Sequence, residues 1–467
     1  MPPQPAESAV NPARTLASEQ VSAAPNQLHA ADLGALPGQV AEFIADRLRE
    51  TPLGRRESPE AMTRLLAGAI TEDGLGVGPA WDVFVDAVVP NNIGLASERF
   101  LAFIPVAPSA ASVWMDAAVS AANFSAESWL EASGAVAAEN QALRVLADLV
   151  GFPERAGGCF MSGGSIGNLS ALAVGRDRAG GRRSVAVADT AHASVGNALH
   201  LLGLDAVVVP TGPDGRFIGA ALRAMITPDV GMVCAAGGST NAGVVDDLAG
   251  LAMICDEHEM WLHVDAAYGG AALLVEDRRH LFAGIERADS VIIDPHKWLF
   301  GPAGSCALLY RHPALASAVH TQHGPYIDVL HDGSGADWNP SDYGYQLTRR
   351  ASGLPLWFAL VTHGLAAHRH AVEATLSLAR RCAQVFSETP GVEVLMEPEL
   401  GVVLFRRDGW GRSEWRAWAD RLLGDGIAFV APTTWRGEPV GRLVFMHPLT
   451  PPSLITDIAA TLRHPGR

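Results

Sequence analysis

The stretch "SVIIDPHKWLF", residues 290–300, decides how the rest of the chain is read. Its β-branched run, Val291 to Ile293, is the kind that fills a buried strand. The run ends in Asp294, turns through Pro295 and His296, and reaches Lys297 beside two aromatics, Trp298 and Phe300. Structural lysines snorkel to solvent from helices or edge strands. A lysine at the mouth of a central strand is desolvated, and desolvation lowers an amine's pKa towards that of a working nucleophile. Lys297 is therefore expected to do chemistry.

Similar short apolar runs recur outward from this point: "SVAVAD" (184–189), "DAVVVP" (205–210), "GMVCAAG" (231–237), "MWLHVDAA" (260–267) and "CALLYR" (306–311). Helical stretches such as "NLSALAVGRDRA" and "SVGNALHLLG" lie between them. Near-continuous apolar strands alternating with helices indicate an α/β fold with a parallel or mostly parallel sheet covered on both faces. Ligands of such sheets bind at the carboxyl ends of the strands. Upstream, "LPGQVAEFIADRLRE" (36–50) to "VDAVVPNN" (85–92) reads as helical, broken at Pro37, Pro52 and Pro79, and "AVAAENQALRVLADLV" (135–150) reads as a helix ended by Gly151 and Pro153. Downstream of a long helical stretch from Leu354, "EVLMEPELGVVLFRR" and "GRLVFMHP" read as antiparallel strands of a smaller α+β lobe. The expected division is an N-terminal arm and helical segment over 1–95, a large α/β domain over 96–365 and a small α+β domain over 366–467.

Composition narrows the function classes. A chain of 467 residues exceeds the size at which one core stops growing, and 48% hydrophobic with 18% charged residues suits a packed enzyme. A formal charge of −16 works against nucleic-acid or anionic-membrane partners, while leaving room for a local basic pocket. The five cysteines, Cys159, Cys234, Cys255, Cys306 and Cys382, have no C-x-x-C pair and suit reduced thiols in a cytoplasmic protein. No apolar run is long enough to span a bilayer. The first thirty residues, rich in Ala, Pro, Ser and Gln, have the pattern of a loose arm rather than of a secretory signal.

Four elements carry chemistry. In "MSGGSIGNLSAL" (161–172), Gly163 and Gly164 permit a tight turn and Ser165 stands at the head of a helix, the pattern of a phosphate site or of an ordinary turn into a helix. In "ADTAHASVGNAL" (188–199), His192 follows a strand and heads a helix, facing the ligand edge or serving only as a cap. In "LHVDAAYGG" (262–270), Asp265 ends a strand and needs a partner, whether an arginine, a metal or a protonated heterocycle; no cluster with metal-ligand spacing lies nearby. The fourth is Lys297. A phosphate turn, a flat imidazole, an acid and an amine are together what pyridoxal 5'-phosphate (PLP) requires.

The motifs "SGGSIGNLSAL", "AHASV", "GGSTNAGVVDDL", "HVDAAYGGAAL" and "DPHKWLF" occur in the order and approximate spacing of the group II PLP-dependent amino-acid decarboxylases, which the chain resembles over about residues 90–365. That family includes the aromatic-L-amino-acid, tyrosine and glutamate decarboxylases. The resemblance implies the fold type I, aspartate-aminotransferase-like architecture and a homodimer with active sites at the subunit interface. By position it implies Lys297 as the lysine that condenses with the cofactor aldehyde, Asp265 at the pyridine nitrogen, Ala267 beneath the ring and His192 above it near the substrate carboxylate. It places Gly164, Ser165, Asp294 and His296 around the phosphate, although many relatives carry Asn at Asp294, and Ser239 near the cofactor. Tyr326, in a mobile loop, corresponds to the tyrosine that protonates Cα, and Phe103 and Pro105 of "FLAFIP" (100–105) to the substrate pocket. In "TRRASGLPLW", Arg349 and Arg350 match the family pattern "RRFRALKLW", but its next arginine is replaced by Ser352.

The implied reaction is decarboxylation of an L-amino acid to an amine and CO2. The apolar pocket stretch "FLAFIPVAPSAASVW" favours an aromatic or other neutral side chain. The rivals on the same fold are an aldehyde synthase, a Cα–Cβ lyase and an aminotransferase; a non-catalytic binding protein is a fourth reading, opposed by the intact lysine, aspartate and histidine.

Overall fold

The computed structural model describes Leu28 and residues 32–105, 107–331 and 338–463. Apart from Leu28, the expected arm lies outside the described residues, as do residues 332–337 of the loop that carries Tyr326. Of the described residues, those up to Arg47 together with Ser58–Val89 cluster as one compact unit, and Leu48–Glu57 with those from Pro90 onward as a second. In the first, Phe43 packs edge-on against Trp81 and Phe84 at ring-centroid distances of 5.9 and 5.7 Å, and Ser58 caps the helix Pro59–Leu65 by accepting from Ala61 N–H.

The second unit is built on a seven-stranded sheet in the order β1-β7-β6-β5-β4-β2-β3. Its strands are β1 (Gly157–Met161), β2 (Ser184–Ala188), β3 (Asp205–Val209), β4 (Val230–Ala236), β5 (Trp261–Asp265), β6 (Ser290–Ile293) and β7 (Cys306–Tyr310). The pairs from β3 through β6 are parallel, and β7 runs antiparallel to both β6 and β1, so β7 is the one reversed strand. Alternate residues enter two different cores. Val185, Val187, Met232, Cys234, Trp261 and Ile292 pack with the helices Gly164–Arg178 and Ala193–Leu202. Ala186, Val233, Ala235, Leu262, Val264 and Val291 pack on the other face with Trp129–Val150 and Leu248–Glu257. Each fully buried Val, Leu or Ile contributes about 1.5–3 kcal/mol, so both faces favour one register.

β1 is absent from the strands expected from sequence because it opens on two glycines. Packing requires the second of them: a Cβ on Gly158 would lie 1.8 Å from the Leu308 carbonyl oxygen of β7. The helix Leu354–Ser387 is interrupted at Gly364, whose φ of +74° is left-handed. Beyond it, β8 (Val392–Val394), β9 (Val402–Arg407), β10 (Thr433–Trp435) and β11 (Glu438–Val444) form a separate antiparallel sheet, order β10-β11-β9-β8. Phe386, Phe405, Trp415, Trp418 and Phe445 fill its core.

Arg349 ties the far end of the 321–348 loop to the large sheet. Its guanidinium is buried, donating to Phe160 O of β1 at 3.1 Å and to Ala126 O, and pairing with Glu139 Oε2 at 2.6 Å. Burial raises the Glu139 pKa, against the opposing attraction of Arg349, and the other carboxylate oxygen accepts from Gly353 N–H at 2.8 Å. Removing one partner of such a pair strands the other charge. Arg349→Leu is therefore expected to destabilise the fold by ~3–5 kcal/mol in urea unfolding of the cofactor-free protein; an unchanged midpoint would contradict this role.

Candidate active site

The carboxyl ends of the parallel strands converge on a cavity of ≈ 430 Å³, within the range of small-molecule sites. At its β1 edge the chain turns through Ser162 and Gly163 into the helix Gly164–Arg178, which has no side-chain cap. Ile166 N and Gly167 N both reach back to Gly163 O at 3.1 Å, leaving the Gly164 and Ser165 N–H groups to face a ligand. Gly164 lies close against the Asp294 carboxylate: a Cβ there would lie 2.9 Å from Oδ2, so a side chain would displace that acid.

β5 alternates faces, so Trp261, His263 and Asp265 all turn towards the helix Gly164–Arg178. Asp265 Oδ2 accepts from Asn168 Nδ2 at 2.9 Å and Oδ1 from Ala267 N–H at 3.2 Å. The partner that a strand-end carboxylate needs is thus an amide, Asn168, which the sequence reading passed over. Its signal was present: a polar residue four positions after Gly164, on a helix whose inner face is otherwise small or apolar.

At the end of β6, Lys297 Nζ lies 3.1 Å from Asp294 Oδ2, and His296 Nε2 lies 3.7 Å from the same oxygen. Lys297 is the only lysine in the sequence, so the chain has a single ε-amine. Phe300, just beyond it, holds a φ of +59°, and its carbonyl is fixed by Ser109 N–H at 2.8 Å and the Ser112 hydroxyl at 2.9 Å. The expected lowering of the amine's pKa is corrected here. Burial does pull Lys297 down, but the attraction of Asp294 and Asp265 and the hydrogen bond to Asp294 outweigh it, and the net shift is upward.

His192 caps the helix Ala193–Leu202, its Nδ1 accepting from Ser194 N–H at 3.2 Å, and it also lines the cavity. It is therefore a cap that also faces the ligand edge, not a cap alone. Gly164, Ser165, Ser239, Ala267, Asp294 and His296 line the same cavity with Asp265 and Lys297. Ser239 is buried, and its hydroxyl accepts from Val244 N–H at 3.3 Å. Phe103, Pro105 and Tyr326 are not among the lining residues of the single chain: Phe103 is 60% and Tyr326 77% exposed, and Pro105 is buried elsewhere.

These residues fit PLP. Helix-terminal N–H groups at a glycine turn suit its phosphate, a carboxylate held by neutral donors suits its ring nitrogen, and the only ε-amine suits its aldehyde. Sequence comparison agrees, since the pyridoxal-dependent decarboxylase conserved domain matches residues 85–408.

The chain belongs to the pyridoxal-dependent decarboxylase family.

This decarboxylase is 31% identical over 397 residues to an aromatic-L-amino-acid decarboxylase of Bacillus atrophaeus, covering 81% of the chain and 82% of that protein. It is 27% identical to tryptophan decarboxylase 1 of Oryza sativa subsp. japonica, covering 89% and 90%. The crystal structure of Oryza sativa TDC with PLP and tryptamine superposes with a TM-score of 0.87 at 26% identity, covering 93% of this chain and 98% of that one. The protein is a PLP-dependent amino-acid decarboxylase of fold type I. The matched relatives favour loss of CO2 over the rival reactions.

Asp294→Asn removes the main attraction holding Lys297 charged while leaving its burial in place. PLP uptake by the cofactor-free variant, followed by absorbance across pH, is expected to reach its midpoint at lower pH than in the wild type. An unchanged or higher midpoint would contradict the assignment.

Proposed function

We propose that this decarboxylase acts on an aromatic or other neutral L-amino acid, as a cytoplasmic homodimer, with Lys297, Asp265, His192 and Tyr326 as its working groups. The observation that carries the substrate class is the lining of the cavity: among the described residues it holds Lys297, His192 and His296 but no arginine, and it holds the acids Asp246, Asp265 and Asp294. A side-chain carboxylate such as that of glutamate would find no bidentate partner there and would meet other acidic side chains. The aromatic and tryptophan decarboxylases among the relatives support the same class.

The homodimer reading rests on Phe103 and Tyr326. Large aromatic rings this exposed on one chain suit a surface that a second copy covers, and from there they could complete the partner's pocket. We also read 96–365 as the cofactor-binding domain and 366–467 as the small domain. No described helix is long and apolar enough to cross a membrane.

PLP bound in the cavity supplies the electron sink for the bond to the departing carboxylate. Lys297, the only ε-amine of the chain, would hold the cofactor through its aldehyde. The negative charge of Asp265 would favour a proton on the ring nitrogen. His192, at the cavity wall, orients the substrate carboxylate. Tyr326 moves its hydroxyl proton to Cα once CO2 has left.

The test is to offer L-tryptophan, L-tyrosine, L-phenylalanine, L-diaminobutyrate and L-glutamate to the PLP-loaded protein and identify products by mass spectrometry. Amines from the aromatic substrates are expected, with none from glutamate and no turnover by Lys297→Ala; glutamate as the best substrate would overturn the substrate class. Tyr326→Phe should lower kcat by about 10²–10⁴, the contribution of a positioned proton donor, with KM little changed. A kcat equal to the wild type would remove Tyr326 from the mechanism.

A further inference from the structure

Behind Asp265 lies a continuous hydrogen-bonded chain whose direction is fixed from both ends. Trp261 Nε1–H can only donate, and it donates to Ser290 Oγ at 3.2 Å. Ser290 Oγ lies 2.8 Å from His263 Nδ1, and His263 Nε2 lies 2.8 Å from Asn168 Oδ1. At the far end, the Asp265 carboxylate can only accept, and Asn168 Nδ2 lies 2.9 Å from it. The amide must therefore turn its NH2 to Asp265 and its oxygen to His263. That puts the His263 proton on Nε2 and makes the Ser290 hydroxyl the donor to Nδ1. Burial lowers the His263 pKa to about 4, against the attraction of Asp265, so the ring is neutral and this one tautomer holds at neutral pH.

The second N–H of the same amide points at Ser194 Oγ, 3.0 Å away. That oxygen lies 2.8 Å from His192 Nδ1. Because Nδ1 accepts from Ser194 N–H it carries no proton, and the Ser194 hydroxyl that accepts from Asn168 donates to it. The His192 proton is then on Nε2. Asn168 uses all three of its hydrogen-bonding groups and is 1% exposed, so no water competes for them.

We propose that Asn168 is a positioning residue for the cofactor, one buried amide that aims the Asp265 carboxylate and, through the Ser194 hydroxyl it donates to, holds the His192 ring in the tautomer that the Ser194 N–H selects. It couples the group for the ring nitrogen to the group above the ring. The inference rests on the reading of this cavity as the PLP site. It assigns Asn168 no contact with substrate.

Two substitutions separate positioning from packing. Asn168→Asp keeps the shape and the acceptor for His263 but sets a second carboxylate against Asp265. Asn168→Ala removes the donor and leaves a void. Titrating cofactor-free protein with PLP is expected to show roughly tenfold weaker binding for Asn168→Ala, the scale of one lost hydrogen bond to a charged group, and still weaker binding for Asn168→Asp. A packing role gives the reverse order, so Asn168→Asp binding PLP as well as or better than Asn168→Ala overturns the proposal. If Asn168→Asp fails to fold, Asn168→Leu, which fills the space without a donor, decides: binding as weak as Asn168→Ala supports positioning, and wild-type binding overturns it. In the cofactor-free wild type, 15N NMR of the histidines should show the proton of His263 and His192 on Nε2; a His192 proton on Nδ1 overturns the His192 limb. Uptake of PLP by the wild type tests the reading of the cavity, and only the order among the variants tests Asn168.

Discussion

The ion pair between Lys297 and Asp294, at 3.1 Å, is what the site depends on. An ammonium at the mouth of a buried strand costs several kcal/mol in lost hydration unless an opposite charge meets it. Asp294 meets that demand from three residues away, on the same turn out of β6, and Asp265 adds attraction from the end of β5. The lysine is thus stored as a cation and not as a free base. The negative groups that make its burial tolerable also oppose its deprotonation, and entry of a ligand into the cavity has to work against them.

The parallel sheet makes this arrangement possible. β4, β5 and β6 run in the same direction, and their pairing sets Ala236 opposite Asp265 and Asp265 opposite Ile292. Residues just past each strand end therefore gather on one edge, where the helix Gly164–Arg178 also begins. Alternation along β5 then decides what stands behind that edge. Leu262 and Val264 serve one core, while Trp261, His263 and Asp265 face the helix and Asn168. A one-residue slip of β5 would exchange these two sets and bury the polar side chains of His263 and Asp265 among Leu and Val.

Much of this was legible beforehand. Five of the six runs read as strands are β2 to β6, because continuous β-branched and apolar stretches have few other uses in a covered sheet; the sixth is β7, whose reversed direction leaves no trace in a buried strand's composition. β1 was missed because "GGCFM" owes its extended form to tertiary contact at Gly158 rather than to propensity. Part of the cavity wall was legible, since glycine turns and a strand-end acid or lysine carry chemical demands of their own. The direction of the Lys297 shift was not, because it balances burial against two carboxylates whose distances only the fold defines. Asn168 escaped for the same reason: its partners come from β5 and from the start of the helix Ala193–Leu202, distant in the chain. Phe103 and Tyr326 are exposed on the single chain, where one sequence cannot say what covers them.

The most direct measurement of the central claim uses the scarcity of amines in this chain. PLP-loaded protein is reduced with borohydride, digested, and mapped by mass spectrometry. The account predicts one pyridoxyl adduct, on Lys297, in the peptide that contains "DPHKWLF". Absence of an adduct, or an adduct confined to the N-terminal amine, would contradict it.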